Sequence, residues 1–97
     1  LSLGALGHAY ALAGKRDEAQ KILDELLALA QQEYVSAYDI ALVYTGMSEK
    51  DQAFVWLEKA HDEHNGWLVF LNVEPRFDNL RAEARFGTLL KKVGLHK

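Results

Sequence analysis

Apolar positions in the first two thirds of the chain recur at helical spacing, and short polar breaks cut them into four segments. Over residues 1–14, Leu3, Leu6, Tyr10 and Ala13 follow that spacing, and Gly14 stands where a left-handed C-terminal residue is favoured. Residues 16–30 read as a second helix, with Asp17 and Glu18 placed in its first turn to complement the helix dipole. Its apolar face is wide, formed by Ala19, Ile22, Leu23, Leu26, Leu27 and Ala30. After the polar step Gln31-Gln32-Glu33, a third helix over about residues 35–46 presents Ala37, Ile40, Ala41 and Tyr44. Gly46-Met47-Ser48 forms its turn, and Ser48 with Asp51 three residues on reads as a weakened capping box for a fourth helix. That helix runs through Ala53, Phe54, Leu57 and Ala60 to about His64, where Asn65-Gly66 ends it.

The four segments are two copies of one unit. The pairs Leu6/Ile40, Gly7/Ala41, Tyr10/Tyr44, Ala19/Ala53 and Leu23/Leu57 are each 34 residues apart, a fixed period of the kind that marks helical repeat arrays. In each copy a small residue (Gly7, Ala41) lets two helices approach, a ring (Tyr10, Tyr44) fills the wedge, and a second small residue (Ala19, Ala53) sits opposite. This unit resembles the tetratricopeptide repeat. The resemblance implies an all-α fold: a right-handed α-solenoid of two helix-turn-helix repeats, residues 1–33 and 34–66, then a capping segment over residues 67–97.

The period fails after residue 66. Continuing the offset puts Glu74, Pro75 and Asp78 where Ile40, Ala41 and Tyr44 stood, so no third standard repeat is expected. Trp67-Leu68-Val69-Phe70-Leu71 reads as a short apolar segment, helical or extended, stopped by Asn72 and Pro75. A last amphipathic helix, about residues 82–93, carries Phe86, Leu89, Leu90 and Val93 and ends at Gly94. Arrays need an end that covers the last apolar face and shows a polar exterior, which suits Phe77, Leu80, Phe86 and Leu90 on an Arg- and Lys-bearing segment. The Trp-Leu-Val-Phe-Leu, Pro-Arg-Phe-Asp and Arg-Phe runs are similar to segments that close tetratricopeptide arrays at the C-terminus of many bacterial and archaeal signalling proteins. That resemblance implies a host of this type.

Composition narrows the classes. Eleven Lys and Arg oppose fourteen Asp and Glu, so the chain as a whole is no electrostatic trap for nucleic acid. Residues 1–74 balance to −7 (five basic, twelve acidic) and residues 75–97 to +4 (six basic, two acidic). The basic side chains of the tail, Arg76, Arg81, Arg85, Lys91 and Lys92, are expected to face the acidic fourth helix or solvent. With no cysteine, disulfides, thiolate metal sites and a cysteine nucleophile are excluded, and a cytoplasmic setting is expected. No apolar run approaches the ~20 residues that span a bilayer, so no membrane partner is expected. The chain opens on Leu1 already inside a helical pattern, which reads as a segment of a longer polypeptide.

Candidate chemistry is sparse. His61-Asp62-Glu63-His64 has its histidines three apart, whereas the zinc-protease pattern needs them four apart with Glu directly after the first. It reads as a solvated helix end, with the imidazoles near the last carbonyls. No carboxylate pair, Ser/His/Asp set or phosphate loop stands out, so neither an enzyme nor a cofactor or metal is expected. The family resemblance places a groove along the first helix of each repeat. By the 34-residue offset its lining is Gly4, His8 and Ala11, then Tyr38, Leu42 and Thr45, each set at i, i+4, i+7 on one helix face. These six are uncharged and partly apolar, which argues against a clamp for a terminal carboxylate and for a protein or peptide partner. Tyr38 and Leu42 have a second reading, as packing positions for the 67–71 segment. The helix over residues 1–14 has no charge, so it also suits pairing with another copy of the chain, as a structural end-cap or self-association unit without a separate ligand.

Overall fold

The computed structural model describes residues 2–32, 35–63, 68, 71 and 73–94, and among these the regular elements are all helical. In chain order they are α1 (Leu3–Leu12), α2 (Arg16–Ala30), α3 (Ala37–Gly46), α4 (Lys50–Asp62), a 3-10 helix (Pro75–Leu80) and α5 (Ala84–Val93). The expected all-α class is met. Trp67, Val69, Phe70 and Asn72 of the apolar segment, and His64, Asn65 and Gly66 before it, lie outside the described residues.

The period survives as geometry. α1 and α3 start 34 residues apart, at Leu3 and Ala37, and each is preceded by a capping serine. Ser2 Oγ accepts from the Ala5 amide at 3.1 Å, and Ser36 Oγ from the Tyr38 amide at 3.0 Å. Such caps satisfy first-turn N–H groups that have no partner inside the helix. Both helices also end alike: Lys15 N–H donates to the Tyr10 carbonyl and Glu49 N–H to the Tyr44 carbonyl, each at 2.9 Å. This closure requires a left-handed residue between, which is Gly14 at φ 79° in one copy and Ser48 at φ 60° in the other. The expected capping box is therefore corrected. Ser48 is spent on ending α3, and the residue preceding α4 is Glu49, whose side chain makes no capping bond.

α1 lies against both α2 and α3, α3 against α4, the 3-10 helix against α3, and α5 against α4. Two apolar clusters result. Ala19, Ile22, Leu23 and Leu26 of α2 meet Ile40, Val43 and Met47 from α3 and its end. The other face of α3, with Ala37, Tyr38, Ala41 and Leu42, meets Ala53, Phe54, Leu57 and Ala60 of α4 and then Leu68, Leu71, Phe77, Leu80, Phe86 and Leu89. α3 is thus the central helix, lined on both sides. The two rings expected to fill the wedges, Tyr10 and Tyr44, are only half-buried and pack at the edge of the core. Close approach of α1 to α3 depends on Gly4: a Cβ there would lie 2.7 Å from Asp39 Cβ and 2.9 Å from Asp39 Cα.

The 34-residue spacing of elements extends into the tail, where the residue pattern hid it. α5 starts at Ala84, 34 residues after α4 starts at Lys50. The ion pair joining the first unit to the second, Arg16 to Glu49 at 3.0 Å, recurs one period on as Lys50 to Glu83 at 3.9 Å. Arg85 reaches Asp51 at 2.8 Å and Lys92 reaches Glu58 at 2.7 Å, so two of the basic tail residues do face the fourth helix. Among the described residues the tail places before α5 a six-residue 3-10 helix, begun by Pro75, which has no amide to donate, and capped by Glu74.

Candidate functional site

The six expected groove positions lie on α1 and α3, which pack side by side. Gly4 is buried under Asp39, and His8 and Ala11 both close on Gly46, where an added Cβ would lie 3.0 Å from His8 Cδ2 and 3.1 Å from Ala11 Cβ. Tyr38, Leu42 and Thr45 occupy the matching face of α3 and are buried too. What covers them is the chain's own tail. The Phe77 ring meets Tyr38 edge-on at 5.4 Å between centroids, and Leu68 and Leu71 belong to the same cluster. Asn79 Nδ2 donates to the Thr45 carbonyl at 3.0 Å, 34 residues back along the sequence. Thr45 Oγ1 is turned inward and donates to the Ala41 carbonyl at 2.7 Å.

Beyond Thr45 a cavity of about 380 Å³ remains open, lined by His8, Leu12, Thr45, Pro75, Arg76, Asp78 and Asn79. His8 and Thr45 were expected on this surface. Leu12 and the four tail residues were not, although Asn79 falls one period after Thr45 and could have been found by that count alone. Leu12 stands at the mouth, 69% exposed.

Charged groups at the cavity rim are paired with each other. The Glu74 carboxylate accepts from Arg76 Nε at 2.8 Å, from Arg76 Nη2 at 3.2 Å and from the Arg76 amide at 3.1 Å. These bonds hold the Glu74 carboxyl below the usual carboxylate range and push the Arg76 guanidinium up. Arg81 Nε binds Asp78 at 2.7 Å. His8 is pushed down by burial, and Arg76 adds to this by its charge, while a backbone hydrogen bond to Arg76 and the charge of Glu74 oppose it. Burial likewise raises the Tyr38 hydroxyl to about 12, with Glu74 adding to it, and raises the Asp39 carboxyl. At neutral pH the cavity wall therefore carries an uncharged imidazole and two internally neutralised ion pairs.

The remaining histidine cluster does no comparable work. His61 Nε2 lies 3.2 Å from the Lys92 carbonyl, tying the end of α4 to the end of α5, and His64 lies outside the described residues. Among the described residues no group of three or more His, Asp or Glu is placed to hold a metal ion. None of the described helices is long and apolar enough to cross a membrane. No family model, no curated protein and no solved structure matches this chain.

Proposed function

We propose that this chain is a protein-interaction module of the tetratricopeptide type. In this reading two helix pairs form a short solenoid, a reduced third pair closes its C-terminal end, and the groove along α1 and α3 takes an apolar segment of a partner protein. The observation that supports it best is that the chain's own residues already occupy half of that groove as a ligand would. Phe77 meets the Tyr38 ring edge-on, Leu68 and Leu71 lie in the same apolar cluster as Tyr38 and Leu42, and a side-chain amide reads a backbone carbonyl at Thr45. Beside it an open cavity is lined by His8, Leu12 and Thr45 and by Pro75, Arg76, Asp78 and Asn79 of the tail. The module is a binder rather than an enzyme and needs no cofactor. A prokaryotic regulatory host and a cytoplasmic setting complete the reading.

Selection from a displayed peptide library tests it. Peptides enriched on the wild-type chain and lost on a Leu12→Asp/Ala11→Glu double variant are the expected result. A library that yields no binder to the wild-type chain would remove the interaction reading.

A second reading is supported by the contrast between the ends of the molecule. α1 carries no charge, and Ala9, Leu12 and the following Ala13 are exposed, whereas the far end is covered by α5, which carries three charged residues, Arg85, Lys91 and Lys92, on its exposed positions. An uncharged helix face of this kind suits stacking on a preceding repeat or on a second copy about a two-fold axis, with no separate ligand. Light scattering across a wide concentration range separates the two: a stable dimer favours self-association, a monomer leaves the face to another protein.

A further inference from the structure

We infer that His8 is an acid-sensitive latch between α1 and the tail: as an uncharged imidazole it fastens the segment from Glu74 to Asn79, and on gaining a proton it lets that segment go. The latch is a property of the fold and needs no partner.

His8 is buried, only 5% exposed. Its ring lies against Gly46 of α3, where an added Cβ would come 3.0 Å from His8 Cδ2, and it shares a cavity wall with Thr45, Pro75, Arg76, Asp78 and Asn79. A backbone hydrogen bond with Arg76 favours the charged form of His8, so the imidazole donates and the Arg76 carbonyl accepts. One ring thus touches α3 and holds the tail. The tail segment is also tied within itself, by Arg76 Nε to the Glu74 carboxylate at 2.8 Å, Arg81 Nη2 to the Glu74 carbonyl at 3.1 Å and Arg81 Nε to Asp78 at 2.7 Å. It therefore responds as one piece. Its polar tie to α3 is Asn79 Nδ2 on the Thr45 carbonyl at 3.0 Å.

The charges around the ring decide what a proton does there. α1 carries no charge to balance an imidazolium, and His8 stands before the last turn, where helix carbonyls would favour a cation. Arg16 of α2 is turned to the Met47 carbonyl and Glu49. α3 presents Tyr38, uncharged with its hydroxyl raised to about 12, and Asp39, whose carboxyl burial raises. The tail presents Arg76, which opposes the proton, Glu74, which favours it but is bound by Arg76, and Asp78, bound by Arg81. Burial is the largest effect and acts against the proton.

An imidazolium left in place would sit beside the Arg76 guanidinium with little water. It gains water by turning into the open cavity or by lifting the tail, and either movement breaks the bond to the Arg76 carbonyl. The sign follows from the lowered value. The unfolded chain binds this proton more readily, near the ordinary 6.5, so the stability from His8 is complete above 6.5 and is lost as pH falls through the folded value. Asp39 runs the other way, since its proton removes a buried charge, and Glu74 is protonated only in more acidic solution.

The test is an NMR titration of the whole chain from about pH 8 to about pH 5, above the ordinary carboxylate range. The His8 ring is expected to titrate with a midpoint below 6.5, and the Asn79 side-chain amide to shift toward its free position with the same midpoint. His8→Gln is expected to abolish the Asn79 response while the other three histidines remain. Arg76→Gln keeps the accepting carbonyl, removes the opposing cation and frees Glu74, so it is expected to move the His8 midpoint up. Glu74→Gln removes the favourable anion and frees Arg76, and is expected to move it down. Unperturbed methyl signals of the fully buried Leu57 report that each variant is folded. If His8→Gln fails to fold, the two tail variants decide alone.

A His8 midpoint at or above 6.5 would overturn the latch, because the proton would then fasten the tail. So would an Asn79 amide that stays unmoved while the ring titrates, or one that still responds in folded His8→Gln. Tail variants that both move the midpoint the same way, or not at all, would remove Glu74 and Arg76 from the balance at the ring and the latch with them.

Discussion

The first helix pair and the second are built from the same pattern and end up in different surroundings. Gly7 and Ala41, Ala19 and Ala53, and Leu23 and Leu57 are buried in both. Yet α1 leaves Ala9, Leu12 and Ala13 exposed, while α3, one period later, buries Val43 at the position of Ala9 and half-buries Gly46 at that of Leu12. The difference lies in the neighbours. α3 has α1 and α2 on one side and α4 and the tail on the other, whereas among the described residues the extensive contacts of α1 are with α2 and α3. A repeat position therefore fixes which way a side chain points, and the stack decides how much water it loses.

The largest test removes the neighbour. Phe77 is fully buried and carries the tail's contact with Tyr38. Phe77→Ala is expected to cost ~3–5 kcal/mol, the range for truncating a large core ring. Tyr10→Ala, at a wedge position of the first pair but only half-buried, is expected to cost clearly less. Chemical denaturation of both variants at one pH measures the difference. Equal losses would mean that the tail adds no burial beyond what the first pair already has.

A smaller effect is expected where α1 meets α3. Alanine is the better helix former by ~1 kcal/mol, yet at Gly4 its Cβ would fall on the Asp39 backbone. Backbone cannot yield as a side-chain tip can, so Gly4→Ala is expected to destabilise by ~1–3 kcal/mol, as overpacking does. Gly87→Ala, on the exposed face of α5 where an added Cβ meets nothing within 4 Å, is expected to stabilise. Opposite signs at these two helical glycines would show that close approach, and not helix propensity, explains the first. A gain at Gly4 would mean that α1 sits further from α3.

Much of this was legible in advance. Four helices, their period and the small residues between them follow from apolar spacing, because each buries one face against a neighbour of the same period. The tail was less legible. Pro75 and Asp78 break the residue pattern, but the stacking needs only Phe77 and Leu80 on one turn and Phe86 and Leu89 on a helix. Backbone position kept the period after side-chain identity had lost it. The site was legible in part: His8 and Thr45 could be placed by counting, whereas Leu12 becomes a pocket residue only through the tail residues Pro75, Arg76, Asp78 and Asn79 that face it, and their residue pattern had lost the period. Ser48 was misread because a serine before an acidic residue is a common helix start, and nothing local shows that it is needed to end α3.

That misreading gives the next test. Gly14 and Ser48 hold the same left-handed position, and only glycine holds it without steric cost. Ser48→Gly is expected to stabilise by roughly 1 kcal/mol, the scale of the left-handed penalty for an L-residue. Gly14→Ser is expected to cost a similar amount. Thermal midpoints moving in opposite directions would show that the two turns are equivalent. A loss at Ser48→Gly would mean that the hydroxyl contributes more than the backbone strain removes.

The smallest effect is expected at the ion pairs that mark the period between α4 and α5. Arg85 to Asp51 and Lys92 to Glu58 lie at 2.8 and 2.7 Å, but all four side chains remain substantially exposed. Exposed pairs of this kind contribute little, because water and salt screen them and both long side chains lose freedom. What seats α5 is burial: Phe86 and Leu89 enter the cluster of Phe54 and Leu57, and Leu90 and Val93 pack against its edge. An Arg85→Gln/Lys92→Gln variant should accordingly unfold at the wild-type midpoint and show no added salt dependence, whereas Leu89→Ala should not. A large, salt-sensitive loss in the double variant would mean that charge, and not apolar packing, carries the period from the second pair into the tail.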